Sequence, residues 1–402
     1  MIKRTLQELC LNITDGKHGD CENEENSGYY FISCKDIFDG QINYKNARQI
    51  TKADFEETHK RTMLEVDDIL LTNSGTIGRM AFVTDREATT KTTFQKSVAI
   101  IKPDKQKVLP RYLYYQLQNC VPQFINSSNG SAQKNLLLST MRTFQIEIEE
   151  NREKQEKIAD TLSAYDDLIE NNQKQIKLLE EAARRLYKEW FVDLRFPGHE
   201  NTKIVDGVPE GWNWCKLEDA IQLDPKVTLT KERMKQFIPM SALSTSSMVL
   251  DESQFTETTS NSGSKFQNGD TLLARITPCL ENGKTAYVSG LKSDEGAVGS
   301  TEYIVMRAKT INSYMVYLLA RTDDFRQSAI NSMSGSDGRQ RVKSDKLKML
   351  DYLHPTSELV EKFENVEEPI FEKIYRLSKQ MQQTKQARDL LLPKLMSGEV
   401  EV

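Results

Sequence analysis

Between Ile158 and Trp190 the chain repeats apolar positions at alternating steps of four and three: Ile158, Leu162, Tyr165, Ile169, Asn172, Ile176, Leu179, Ala183, Leu186 and Trp190, with Asn172 the one polar member. That spacing is a heptad seam along one side of a long helix. At 1.5 Å per residue the stretch would extend about 50 Å. Asn151 is placed to cap its start and Pro197-Gly198 to end it. The segment NNQKQ (171–175), like KQMQQTKQ (379–386) near the other end of the chain, is too hydrophilic to be buried all round, so a spacer is expected rather than an interior helix. Asn172 on the seam either fixes register or turns to water. Elsewhere the pattern changes to short apolar runs punctuated by Gly, Asn, Asp and Ser. YYFI, DDILLT, MAFV and SVAIIK in the first half, then CKLE, TLLARI, TAYV and YIVMR in the second, predict strands and hairpins. Residues 110–120 and 312–322 predict short helices.

The two halves resemble each other. Asp68 matches Asp270, Leu70-Leu71 match Leu272-Leu273, and Ala81-Phe82-Val83 match Ala286-Tyr287-Val288; Gly130-Ser131 matches Gly335-Ser336, and YYFISCKDI (29–37) resembles FIPMSAL (237–243). The offset is 202 before the loop that follows Leu71 and 205 after it. Ordered matches at a nearly constant offset mark an internal repeat of about 200 residues. Carrying the seam forward by 205 gives Phe363, Glu367, Ile370, Ile374, Leu377, Met381, Thr384, Arg388, Leu391 and Leu395, of which seven are apolar. Pro369 lies inside this stretch and removes a helix hydrogen bond, so a short helix to about 368 and a main helix starting at Pro369 are expected. The expected fold is α+β: two repeated α/β domains separated by two long antiparallel helices forming a coiled coil, with a pseudo-twofold relation between the copies.

Charge sharpens this division. The net charge is −5; residues 1–150 carry 19 basic and 20 acidic side chains, residues 201–350 carry 19 and 18, and the remaining residues carry 16 and 21. The acidity therefore sits on the helices. The two larger blocks are neutral and would need help to neutralise phosphates. The six cysteines include no CxxC pair and the four histidines are scattered, so neither a zinc site nor a disulfide scaffold is expected. Without a long apolar segment the cytoplasm is the expected compartment, with no membrane partner.

EWFVDLRFPG (189–198), VPEGWNW (208–214) and the C-terminal LLLPKLMSGEV (390–400), together with the two copies of DxLL…Gly…AYV, resemble type I restriction–modification specificity subunits along the whole chain. The resemblance implies target recognition domains at 1–150 and 197–354, a central spacer helix at 151–196 and a C-terminal spacer helix at 355–402. It implies a sequence-specific subunit bound to double-stranded DNA, each target domain reading one half of a bipartite asymmetric site. The helices would set the gap between half-sites and dock two modification (methyltransferase) subunits, with restriction subunits joining afterwards. S-adenosylmethionine, ATP and Mg would belong to those partners, with no cofactor bound by this chain.

Several loops carry side chains suited to DNA. In TNSGTIGR, backbone amides and the hydroxyls of Ser74 and Thr76 suit a phosphate, while Asn73 or Arg79 suits a base edge; the same glycines also suit a plain hairpin turn. By the offset of 202, Arg275 replaces Asn73, and since Arg suits guanine and Asn adenine, the half-sites should differ. The second candidate pair is Ser131, Gln133 and Lys134 against Ser336, Arg339, Gln340 and Arg341, with five basic and two acidic side chains in 335–348; these segments suit DNA contact or a plain solvated loop. Lys17 and His18 in DGKHGD, Lys35, and Lys284 complete the candidates. Asn282-Gly283-Lys284-Thr285 imitates the end of a phosphate-binding loop, but Pro278 stands where that motif needs glycine, so a turn is expected.

An N6-adenine methyltransferase signature, a glycine-rich cofactor loop after a strand and a nucleophile elbow are all missing, and the Asp67-Asp68 and Asp166-Asp167 pairs lack a nuclease context. Asp166-Asp167 are expected on the solvent face of the helix or against a partner. A non-catalytic subunit is therefore expected. The alternative is a coiled-coil scaffold whose repeated domains bind proteins and which shows no sequence preference.

Overall fold

The computed structural model describes residues 1–84, 87–128, 134–336 and 339–401. The chain forms two compact units: Met1–Asp167 with Thr384–Val402, and Leu168–Gln383.

In the first unit the run Ile69–Thr72 is buried at every position and forms an inner strand of a four-stranded antiparallel sheet, in the order Cys10–Asp15, Val98–Pro103, Ile69–Thr72, Met80–Phe82. An apolar run without alternation is expected of a strand covered on both faces. A smaller sheet orders Arg48–Gln49, Tyr30–Ile32 and Thr92–Phe94, the last pair being parallel. Ile2–Thr5 pairs antiparallel with Gln145–Ile148, joining the beginning and end of the domain's sequence. The helix Pro110–Asn119 starts on a proline, which costs nothing in a first turn, and buries Tyr112, Leu113 and Tyr115 completely.

The second unit repeats this plan. Its main sheet orders Ile221–Leu223, Tyr303–Ala308, Thr271–Ala274 and Thr285–Tyr287, and Asn213–Lys216 pairs with Asp351–His354. Its second sheet gains a strand: Thr256–Thr258, Lys235–Ile238, Ala297–Gly299, Ser264–Phe266. The helix Ser313–Ala320 takes the place of Pro110–Asn119. The CKLE segment divides, its first two residues ending a strand and Leu217–Ala220 forming a helical turn.

The mid-chain helix runs Arg152–Tyr187, and the Asn151 carboxamide oxygen accepts the Lys154 amide at 3.2 Å, the expected cap. A wider turn over Lys188–Val192 follows, and Gly198 at φ 91° turns the chain away. All ten seam positions are buried or half-buried, Asn172 included at 2% exposure, while Leu178 on the opposite face is 64% exposed. Asn172 thus faces protein, and among the described residues its Nδ2 has no hydrogen-bond partner.

The C-terminal helix differs from expectation: it is continuous from Ser357 to Ser397, through both Pro369 and Pro393. The roughly 3 kcal/mol cost of an interior proline is outweighed by the stripe on either side, where Phe363, Phe371, Ile374 and Leu377 are each 4% exposed or less. Packing of an amphipathic face, not propensity, decides helix stability in a folded protein. All ten positions carried forward from the first seam are buried or half-buried here too, including the polar Glu367, Thr384 and Arg388.

Within the first unit the start of the mid-chain helix packs on the end of the C-terminal one. Ile158 and Leu162 share a core with Leu395 and Met396, and farther along Asp166 bonds Arg388 Nη1 at 2.6 Å, an antiparallel pairing. Asp166 also accepts the Tyr115 hydroxyl at 2.7 Å. This corrects the solvent-facing placement expected for it; Asp167 alone is exposed. Within the second unit Phe363 lies against Tyr187, Trp190 and Phe191, with ring centroids 4.8 to 6.1 Å apart. Glu180 ties the helix to the domain by accepting Ser247 Oγ at 2.7 Å and the Met248 amide at 2.8 Å.

Candidate nucleic-acid interface

Asn73 stands just beyond the buried strand Ile69–Thr72, where the chain leaves the sheet. Its amide donates to the Ser97 carbonyl at 3.1 Å, and its carbonyl accepts the Leu136 amide at 2.8 Å. In the second unit the Arg275 amide donates to the Glu302 carbonyl at 3.0 Å, and its carbonyl accepts the Val342 amide at 2.9 Å. Bridges between Ser74 and Asn135 and between Ile276 and Arg341 continue both junctions. Each unit therefore joins the same three segments at one residue, and the offset that equated Asn73 with Arg275 is a structural equivalence.

The glycine loop of the first unit folds back on its own strand. Thr72 Oγ1 donates to the Thr76 carbonyl and accepts the Arg79 amide at 2.9 Å, and the Gly78 amide returns to the Thr72 carbonyl at 3.0 Å. Gly78 has φ 92°, and a Cβ there would lie 2.5 Å from Val121 Cγ1, so glycine is required. Thr76 and Arg79 are exposed and Ser74 is half-buried. Arg79 Nη1 reaches the Cys34 carbonyl at 3.5 Å, beside the exposed Lys35, so these two cations share one surface. Lys134 is exposed; Ser131 and Gln133 lie outside the described residues.

Lys17 and His18 have partners of their own. Lys17 Nζ lies 2.8 Å from Asp54 and 3.1 Å from Glu57, and these hydrogen bonds, Asp54 first, raise the ammonium above its ordinary pKa. His18 Nε2 meets Asp15 at 3.0 Å, and Asp15 also takes Arg61.

In the second unit Arg341 is held by Glu302: Nε donates at 3.0 and 2.9 Å to its two oxygens, and Nη2 at 2.8 Å. Those bonds hold the Glu302 carboxyl below the usual range. Among the described residues the Arg275 Nε is buried without a hydrogen-bond partner. Ser336 and Arg339 are exposed, and the half-buried Gln340 gives its carbonyl to the Thr277 amide at 3.1 Å. Lys284 Nζ donates to the Met240 carbonyl at 2.8 Å. As expected, Asn282 to Thr285 form a turn, with Asn282 bonding back to the Pro278 carbonyl at 3.0 Å and Gly283 at φ 77°.

Sequence reasoning missed Glu302. The repeat offset pairs it with Ser97, and nothing local marks an acid that will meet an arginine 39 positions on. Among the described residues no three His, Cys, Asp or Glu side chains form a metal-binding group, and no helix is long and apolar enough to cross a membrane.

Residues 3–181 match the family model described as the type I restriction modification DNA specificity domain. Over 386 residues the chain is 28% identical to the type I restriction enzyme MjaIX specificity subunit of Methanocaldococcus jannaschii, covering 92% of this chain and 87% of that protein. It is 35% identical over 140 residues to the EcoAI specificity subunit of Escherichia coli, a match spanning 34% of this chain and 24% of that protein. The fold is similar to the crystal structure of a type I restriction-modification S subunit from M. genitalium, with TM-score 0.58 and 16% identity over 98% of this chain and 95% of that one.

Proposed function

Because the chain belongs to the family of type I restriction–modification DNA specificity subunits, we propose that it chooses the DNA site for a methyltransferase and endonuclease complex. Each repeated domain reads one half of a bipartite, asymmetric sequence. The long helices set the distance between the half-sites and dock two modification subunits, and restriction subunits join that assembly. Two readers on one face of a duplex belong about one helical turn apart, or a multiple of it.

The observation that carries this reading is the duplicated junction at Asn73 and Arg275. One backbone plan is kept in both units while the side chain placed on it changes from an amide to a guanidinium. A scaffold that bound the same protein twice would have no use for that change, whereas an asymmetric target requires it. The chain itself is read as non-catalytic. S-adenosylmethionine, ATP and Mg are assigned to the partner subunits, which also supply the phosphate neutralisation that the two near-neutral blocks lack.

The test is to map N6-methyladenine in a host carrying this chain with its modification subunit, and in the same host with this chain deleted. Methylation at one bipartite asymmetric motif, lost on deletion, is the expected result. Methylation that persists unchanged would remove the specificity role and bring the scaffold forward.

A further inference from the structure

Among the described residues, seven side chains hold a buried nitrogen or oxygen without a hydrogen-bond partner, and two of them are Asn73 and Arg275. A buried polar group left unpaired is costly, and native structures keep few of them. That two fall on the one position where each unit joins the same three segments requires a common reason. The backbone at both positions is committed on both sides, as its amide and carbonyl are bonded to flanking loops. Each Cα is therefore fixed, and the side chain is the free chemistry of the junction.

The unpaired atoms differ in kind. Asn73, 5% exposed, leaves Oδ1, while Arg275 leaves Nε. In the second unit the neighbouring carboxylate is not bonded to Arg275, because Glu302 is engaged by three hydrogen bonds from Arg341. Of two arginines on one junction, Arg341 is thereby used to pin its loop to the start of the strand Tyr303–Ala308, and among the described residues the Nε of Arg275 is left without a partner.

Resting on the DNA-specificity reading above, we propose that residues 73 and 275 are the equivalent base-reading positions of the two domains, with Glu302 and Arg341 as a positioning pair that keeps Arg275 free. The fork of Arg275 matches O6 and N7 of a guanine, and the amide of Asn73 matches N6 and N7 of an adenine. The first half-site then carries an adenine where the second carries a guanine. Arg341, a DNA-binding candidate from its sequence, holds the loop instead of reading a base.

The experiment uses the full chain assembled with its modification subunit. Methylation motifs are mapped for the wild type and for Arg275→Ala, Arg275→Lys and Asn73→Ala, and binding is measured on duplexes in which single guanines of the second half-site are replaced by 7-deazaguanine. Arg275→Ala and Arg275→Lys should each lose discrimination at one guanine by roughly tenfold or more, the lysine variant because it keeps the charge without the fork. One deazaguanine position should weaken the wild type and leave Arg275→Ala unaffected. Asn73→Ala should relax one adenine of the first half-site only. Thermal unfolding of each complex identifies a variant that fails to fold, and the deazaguanine result on the wild type stands without any variant.

Full discrimination by Arg275→Lys, equal weakening on every sequence, or a wild type indifferent to every deazaguanine would overturn the proposal. A wild-type complex that methylates no bipartite motif would instead overturn the specificity reading beneath it.

Discussion

Arg307 closes on Asp270 through two parallel hydrogen bonds, Nε to Oδ1 at 2.6 Å and Nη2 to Oδ2 at 2.7 Å, on a carboxylate that is 1% exposed. The first unit builds the same feature with a lysine, Lys102 Nζ meeting Asp68 at 2.8 Å. In both units the carboxylate also accepts the amide three residues earlier, from Glu65 and Gln267, and so fixes the turn that feeds the inner strand. The two ion pairs are structural equivalents with different cations.

Removing one partner of a buried pair strands the other charge at a cost of about 3–5 kcal/mol, so Arg307→Ala should lower stability by that order in chemical unfolding. Lys102→Ala should cost less at pH 5 than at pH 8. Burial pushes the Asp68 carboxyl up to about 6 despite Lys102. A carboxyl raised above its ordinary 3.8 keeps its full contribution below that value and loses it as pH rises through 6. At pH 5 the stranded group takes a proton; at pH 8 it cannot do so cheaply. A Lys102→Ala cost that is flat from pH 5 to pH 8 would sink this account.

Glu367 occupies the position that the repeat assigns to Leu162, and both are 0% exposed. Among the described residues neither of its oxygens has a hydrogen-bond partner, and burial pushes its carboxyl up to about 7 from 4.5. Its contribution is complete below 4.5 and is lost as pH rises through 7, a swing of roughly 3 kcal/mol at 1.36 kcal/mol per pH unit. Glu367→Leu should therefore raise the melting temperature more at pH 8.5 than at pH 5. An equal gain at both values would show that the carboxyl does not titrate in this range.

Lys35 and Arg79 are exposed and share one surface, whereas Lys17 lies between Asp54 and Glu57. In the complex, Lys35→Ala and Arg79→Ala should weaken DNA binding on all sequences alike and lower the salt slope by about 0.9 for each phosphate no longer neutralised. Lys17→Ala should leave that slope in place and reduce stability instead. Filter binding or anisotropy across a salt series separates the two behaviours.

Phe363 is fully buried against Tyr187, Trp190 and Phe191, where the two long helices meet in the second unit. Phe363→Ala should cost about 3–5 kcal/mol, read as a fall in melting temperature. A drop of less than about 1 kcal/mol would mean that the rings close over the cavity.

Much of this was written in the chain. The 4-3 spacing placed the mid-chain seam residue by residue, and the offset of 205 carried it to the C-terminal helix even at Glu367, Thr384 and Arg388, where side-chain polarity argued otherwise. The strand runs were legible because buried strands are continuously apolar. The glycine loops were legible because glycine supplies backbone angles that other residues resist. The continuity of the C-terminal helix through Pro369 was not, because a local penalty is visible in a sequence while the packing that outweighs it is spread over residues far apart.

The sequence by itself determined the repeat, the helix seams and the identity of the residues at 73 and 275, since periodicity and offset are one-dimensional properties. Only the tertiary structure decided which polar side chains are spoken for. Asp54 and Glu57 claim Lys17, Met240 claims Lys284, Glu302 claims Arg341, and Asp166 is drawn in by Tyr115 and Arg388. A charge is free or committed according to what folding brings within about 3 Å of it, and pairings between residues tens to hundreds of positions apart leave no periodic trace in the chain.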